Sequence, residues 1–273
     1  MDQRRRSVLE SILMTAREVI ELVRKNLGVP WNERTYRDTF KVGDPDAAVT
    51  GIATTVMATF DMIQRAHQSK LNLIITHEDT FWNDRDETKD LIDNQLYKIK
   101  LGYCRKNQIV IWRFHDHQHA RRPDQSIVAS LRSVGIEAED AFMGSGRVYT
   151  IPETTLGAFA SQIRKRTGSR AFRVVGDPNA RISRILLGPG YASPRMPADA
   201  DVVIGGEAPE SDGAFDNTSY VRDAATLGIP KGQIILGHVV SEEPGMEECA
   251  RWLRGFISGV PIQFVPAGEP YWT

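Results

Sequence analysis

Residues 71–77, LNLIITH, form a short and nearly continuous apolar run. Such a run marks a strand covered on both faces inside a parallel sheet. Residues 108–120, QIVIWRFHDHQHA, repeat the signal and run straight into a histidine cluster. Residues 200–207, ADVVIGGE, and 232–238, GQIILGH, read the same way. Helical patterns lie between these strands. Residues 7–27 carry Val8, Ile12, Val19, Leu22 and Leu27 at roughly the 3.6-residue period of a surface helix. The spacing predicts further helices over 52–68, 88–107, about 217–227, and 242–257, where Ser241 is placed to N-cap the last one.

The middle of the chain has a different character. SIVASLRSVGI reads as helix, GRVYTI as strand, and TTLGAFASQIRKRTG as a helix with Gly168 at its C-cap. RAFRVVG and ARISRILLG are strands joined by the turn GDPN, and GPGYASPRMP crosses back. The reading is α/β and two-lobed. Residues 1–122 and 196–273 build a main α/β lobe from both chain ends, and a smaller α+β lobe over 123–195 is inserted between them.

The chain of 273 residues is 41% hydrophobic and 25% charged, with a formal net charge of −1. That balance suits a soluble globular protein and excludes the basic footprint of a dedicated nucleic-acid binder. Cys104 and Cys249 are far apart, so no disulfide scaffold or zinc ribbon is expected, and a reducing cytoplasm fits. Both fall in helical segments and read as packing residues. The basic start is interrupted by Glu10, Arg17, Glu18 and Glu21, so it reads as amphipathic helix and not as a signal peptide. No stretch approaches the roughly 18 apolar residues of a membrane span.

Chemistry concentrates in the histidines. Of six, His77, His115, His117, His119 and His238 stand at or just after the C-terminal end of a predicted buried strand, and only His67 sits in a helix, as surface or packing. The carboxyl ends of strands line the ligand crevice of open α/β sheets, so these side chains are expected to converge. Glu78, Asp116, Glu207 and Glu242 accompany them. Imidazole with carboxylate is a ligand set for Zn²⁺, Mn²⁺ or Fe²⁺, and several carboxylates allow two ions to be bridged. His238 and Glu242 stand at i and i+4, which returns both to one side of a helix. The bland alternatives are satisfied polar residues at strand ends and an ordinary capped helix with an acidic first turn. GPGY at 188–191 and GSGR at 144–147 match no nucleotide fingerprint, and no G-x-S-x-G elbow supports a serine hydrolase.

The order DMIQRAHQSKLNLIITHE, IVIWRFHDHQH, GRVYTI, TTLGAFASQIRK, FRVVGD, ISRILLGPG, ADVVIGGE and IILGHVVSE resembles the Nif-three-like family (NGG-interacting-factor-three-like proteins), whose members are often labelled GTP cyclohydrolase 1 type 2 homologues. The similarity runs from about residue 40 to 257, most specifically in the ITH strand end, the VVGD…ILLGPG block and the GHxxSE ending. It implies two α/β lobes, a toroidal homohexamer built as a trimer of dimers, and a dinuclear metal centre facing an internal cavity. The family's ligands are a His-His pair, an H-x-x-x-D and an H-x-x-x-E. His77 matches the first His, His115 opens the second motif, and His238 with Glu242 forms the third. Two positions depart: Glu78 stands for the second His and His119 for the Asp.

The resemblance implies metal ligands His77, Glu78, His119, His238 and Glu242, with Glu78 or Glu242 bridging two divalent ions. Glu78, His115 and Glu242 are the expected catalytic groups, with His115 as proton shuttle or orienting group. Glu207 is an outer orienter, and Asp116 or His117 could shift into the vacated role. The implied activity is metal-dependent hydrolysis of a small heterocyclic or nucleotide-like molecule. The alternatives are a non-catalytic metal-binding oligomer with a regulatory or chaperone-like role, and a plain α/β binding domain with incidental histidines.

Overall fold

A computed structural model describes residues 13–192, 194–210 and 215–272. Val8 and Ile12 therefore lie outside the described residues. The first helix, α1 (Ala16–Lys25), starts at a capping box in which Thr15 and Glu18 satisfy each other's backbone N–H groups. It buries Val19, Ile20 and Val23. The first sheet has the order β1-β4-β3-β2-β10, from β1 (Phe40–Val42), β2 (Ile52–Thr55), β3 (Leu73–Thr76), β4 (Val110–Arg113) and β10 (Ile262–Phe264). All its neighbours are parallel except β1, which closes the edge antiparallel to β4.

Alternation along the strands explains why these segments are apolar throughout. Ile52, Leu73, Ile75, Val110 and Trp112 face α1 and the last helix, α8 (His238–Leu253). Ala53, Ile74 and Ile111 face α2 (Phe60–Gln68) and α3 (Gln95–Lys106) on the other side. With helices on both faces, every position of the central strands β2, β3 and β4 is buried.

The second sheet has the order β5-β7-β8-β9-β6, from β5 (Val148–Thr155), β6 (Arg173–Gly176), β7 (Arg181–Gly188), β8 (Val202–Gly205) and β9 (Gly232–Ile235). β7, β8 and β9 are parallel, and β5 and β6 flank them antiparallel. α5 (Gln125–Ser133) and α6 (Leu156–Thr167) cover one face, with Gly168 as a left-handed cap (φ 66°), and α7 (Asn217–Thr226) covers the other. α8 runs from this sheet onto the first and packs along α5. Among the described residues, no helix is long and apolar enough to cross a membrane.

The structure departs from the sequence expectations in several places. Residues 52–68 are a strand followed by a helix, because β-branched Ile52, Thr54, Thr55 and Val56 favour extended chain and Thr59 caps α2 at Met62 N. The helix expected over 88–107 begins at Gln95, after a 3₁₀ turn at Lys89–Leu91. β1 and β10 carry no strong apolar run and were not anticipated. β6 and β7, joined by GDPN, do not pair; β6 lies against β9 at the far side of the sheet. Strands 202–205 and 232–235 belong to the second sheet and not to the main lobe with β3 and β4. Among the described residues, β10 and α8 are the elements that bring the C-terminal region back to the first sheet.

Candidate metal centre

Backbone geometry delivers the cluster from three directions. His77 and Glu78 continue the β3 ladder, their N–H groups donating to Thr55 O and Val56 O at 3.0 and 2.7 Å. β4 leads into the short helix α4 (Asp116–Ala120), with His115 at its N-cap. The buried Asp38 anchors that turn by accepting from the N–H groups of His115, Asp116 and His117 at 2.6, 3.0 and 2.8 Å. From the second sheet, β9 turns at Gly237 (φ 92°) into α8, which starts at His238. The expected start at Ser241 is therefore corrected. Ser241 lies inside α8, its Oγ donating to His238 O at 2.7 Å and accepting from Gly190 N at 2.9 Å.

Four imidazoles share one arrangement: Nδ1 is committed to an acceptor outside the cluster and Nε2 is turned inward. His77 Nδ1 lies 3.1 Å from both Phe114 O and Gln118 Oε1. His119 Nδ1 lies 2.8 Å from Asp124 Oδ2, His115 Nδ1 3.1 Å from Asp116 Oδ1, and His238 Nδ1 2.6 Å from Glu207 Oε1. Because those partner atoms only accept, each Nδ1 carries a proton, and whenever a ring is neutral its lone pair falls on the inward Nε2. The Nε2 atoms of His77 and His119 are 3.1 Å apart. Two lone pairs at that distance repel unless a cation, a proton or a metal ion, sits with them.

The carboxylates complete the set. Glu242 Oε2 is buried without an aligned hydrogen bond, at 3.0 Å from His238 Nε2 and 3.9 Å from His77 Nε2. Glu78 Oε1 lies 3.3 Å from His238 Nε2 and 3.7 Å from His115 Nε2. Donor atoms of His77, His115 and His119, and separately of His77, Glu78 and Glu242, lie within 4.8 Å of one another. The orphaned Glu242 oxygen and the paired Nε2 atoms fit a cation, and the outward Nδ1 contacts are the orienting bonds usual for metal-ligating histidines.

Protonation follows from these contacts. Burial, reinforced by His115, lowers His77 to about 4, so it is a neutral ligand. His238 moves the other way: against the cost of burial, the carboxylates of Glu242 and Glu78 raise it to about 11. Burial opposes ionisation of Glu78 and Glu242, but the close approach of the histidines, His238 foremost, holds both below the ordinary carboxylate range. Asp124 likewise raises His119 despite its burial. Without a metal, a proton on His238 is the cation between the two carboxylates.

All of His77, Glu78, His115, His119, His238 and Glu242 meet here, and Glu207 holds His238. His117 does not take part. It is buried with Nδ1 on Asp38, Nε2 accepting from Asn32 N at 2.8 Å, and its ring stacked on Trp31 at 3.7 Å. Asp116 also points away, its carboxylate taken by His115, Thr35 and Arg37. Neither fills the vacated role. His67 packs edge-on against Tyr103. Sequence reading missed Arg113, Gln118, Asp38 and Asp124. An arginine inside an apolar strand and an Asp two residues before a helical apolar stretch were the available signals. The glycines of GPGY and GGE serve close approach: a Cβ on Gly190 would lie 2.0 Å from Glu242 Oε1, and one on Gly206 2.5 Å from Ser241 Oγ.

The sequence profile of Duf34/NIF3 (NGG1p interacting factor 3) matches residues 14–268. The chain belongs to the DUF34/NIF3 family. Solved structures agree on the fold of this NIF3 protein. The Staphylococcus aureus hypothetical protein SA1388 superposes with a TM-score of 0.70 at 16% identity, covering 96% of this chain and 99% of that one. A Bacillus cereus protein related to NIF3 gives 0.66 at 13% identity, covering 96% and 100%. Reduced HcgD from Methanocaldococcus jannaschii gives 0.55 at 17% identity, covering 92% and 98%. None of the curated proteins matches this NIF3 sequence.

Proposed function

We propose that this NIF3 protein binds two divalent metal ions and is a metal-dependent hydrolase of small heterocyclic or nucleotide-like molecules. The observation that carries the reading is the 3.1 Å approach of the His77 and His119 Nε2 atoms, with both Nδ1 atoms committed elsewhere. Each ring offers one lone pair, so His77 serves a single ion. His77, Glu78, His119, His238 and Glu242 would hold the two ions, with a carboxylate shared between them. When bound, Zn²⁺, Mn²⁺ or Fe²⁺ supplies Lewis acidity and makes water a stronger acid. His115, whose Nε2 lies 3.7 Å from Glu78 Oε1, would hold and pass a proton beside the ions, and Asp116 steadies its ring. His115, His238 and Glu207 remain partly exposed, which favours an open, catalytic cluster over a sealed structural one. The substrate class rests on the resemblance described above.

Elemental analysis of the purified protein tests the reading. Two equivalents per chain are expected in wild type, and loss of at least one in both His77→Ala and His238→Ala. Metal-free wild type after growth and dialysis in Zn²⁺, Mn²⁺ or Fe²⁺ overturns it. One observation favours a second reading, a metal-tied assembly without catalysis: the ligands come from strand ends of both sheets, so a cation clamps them together. Chelation that lowers the melting temperature, with no turnover of any compound in a nucleotide and heterocycle panel, favours that reading. Light scattering before and after chelation reports whether a homohexamer forms and depends on the ions.

A further inference from the structure

Arg113 is a fully buried arginine at the end of β4, and it touches the centre without being a candidate ligand. Its Nη2 donates to Glu78 Oε2 and Asp84 Oδ1, both at 3.0 Å, and its Nε donates to His77 O at 3.0 Å. Nη1 donates to Asp84 O at 2.5 Å, with Asp86 Oδ2 at 3.9 Å. Asp84 in turn takes a two-point contact from Arg37, at 2.8 and 2.7 Å, and a hydrogen bond from Tyr36 OH. Arg37 Nη1 continues to Asp116 Oδ1 at 3.1 Å, the atom that receives His115 Nδ1. Charges alternate along the series Glu78, Arg113, Asp84, Arg37 and Asp116, which ends on the His115 ring.

Resting on the metal-site reading, we propose that Arg113 and Asp84 are positioning residues of the centre, which lock Glu78 and His115 as one mechanical unit. Two physical consequences follow from the fork geometry of the guanidinium. Arg113 occupies Glu78 Oε2, so Glu78 presents only Oε1 to a cation. It also neutralises a carboxylate that would otherwise be buried beside Glu242. Through Arg37 and Asp116 the same chain sets the tilt of the His115 ring, whose Nε2 faces that Oε1. Asp84 is half exposed, and its side-chain hydrogen bonds run to Arg113, Arg37 and Tyr36 and to none of the six cluster residues, so it reaches the cluster through Arg113 and Arg37.

The test compares Asp84→Asn, Arg113→Lys and wild type. Histidine-ring NMR of the metal-free proteins, with assignments from His115→Gln and His238→Gln, reads the orientation directly. Ring signals of His115 are expected to shift in both variants, while those of His67 stay in place and certify the fold. Cobalt titration adds the ligand readout: about 10-fold weaker binding in Asp84→Asn and up to about 100-fold in Arg113→Lys, with an altered visible spectrum as Glu78 gains a second free oxygen. A folded Asp84→Asn protein with unmoved His115 signals overturns the proposal, as does wild-type cobalt affinity and spectrum. Should wild type itself take no metal, the function reading falls, and the ring signals still decide the positioning chain.

Discussion

Gly190→Ala perturbs the centre without altering any of its ligands. An added Cβ would stand 2.0 Å from Glu242 Oε1, 2.7 Å from Cδ and 3.3 Å from Oε2. The loop cannot retreat, because Gly190 N–H is held by Ser241 Oγ at 2.9 Å and Gly190 O by Glu207 N at 3.0 Å. Glu242 must yield, and its carboxylate is pulled from His238 and His77. Alanine at φ +63° costs about 1–2 kcal/mol, offset by about 0.4–1 kcal/mol from a stiffer unfolded chain. Displacing one member of a buried charge pair adds up to about 3 kcal/mol. Gly228→Ala is the control, since it has φ +70° and nothing within 4 Å of its Cβ. In urea denaturation with chelator, Gly190→Ala is expected to lose about 3 kcal/mol and Gly228→Ala about 1 kcal/mol. In metal titrations only Gly190→Ala should weaken, by about 10-fold or more, as one ligand is misplaced. If Gly190→Ala behaves like Gly228→Ala in both assays, the geometry argued for Glu242 is wrong.

Three further outcomes follow from the same contacts. The metal-free protein should be most stable near pH 6.5. His238 is raised to about 11, so its contribution is full below about 6.5 and is lost as pH climbs toward 11. His77 is lowered to about 4, so the unfolded chain takes up its proton first and stability also falls from about pH 6.5 down to 4. Thermal melts with and without metal check this, and the alkaline arm should vanish when ions replace the His238 proton. Asp124→Asn keeps the α5 cap, because Asn caps as well as Asp, yet removes the charge facing His119 Nδ1 at 2.8 Å. Calorimetric titration should show metal binding about 10–100-fold weaker with helix content unchanged in circular dichroism. His117→Ala strands the Asn32 N–H and unstacks Trp31, for a loss of about 2–3 kcal/mol, while elemental analysis finds the wild-type metal content.

The ligand residues were legible because strand ends and histidines are both local features. LNLIITH and QIVIWRFHDHQH show their burial on two faces through composition alone, and GHVVSE shows its i, i+4 pair through helical period. His117 shows the limit. Its spacing in H-x-H-x-H equals that of its neighbours, but α4 turns it toward Trp31 and Asp38, roughly opposite the side that His115 and His119 share. Arg113 was passed over because a charge in a β-strand usually marks an edge or a solvated face, and only the meeting of Glu78 and Asp84 around it makes burial tolerable.

Local chemistry alone determined that this chain builds buried strands ending in imidazole and carboxylate, because apolar period and residue type act over a few neighbouring positions. Only the tertiary structure decided which sheet each strand joins. β8 and β9 carry the same apolar signature as β3 and β4, yet β8 pairs with β7 and β9 pairs with β8 in the other sheet. His238 therefore reaches His77 from the strand ends of the other sheet and not along one sheet. Strand partners are chosen by the fit of whole faces packed under shared helices, a property of the assembled layers that no single segment contains.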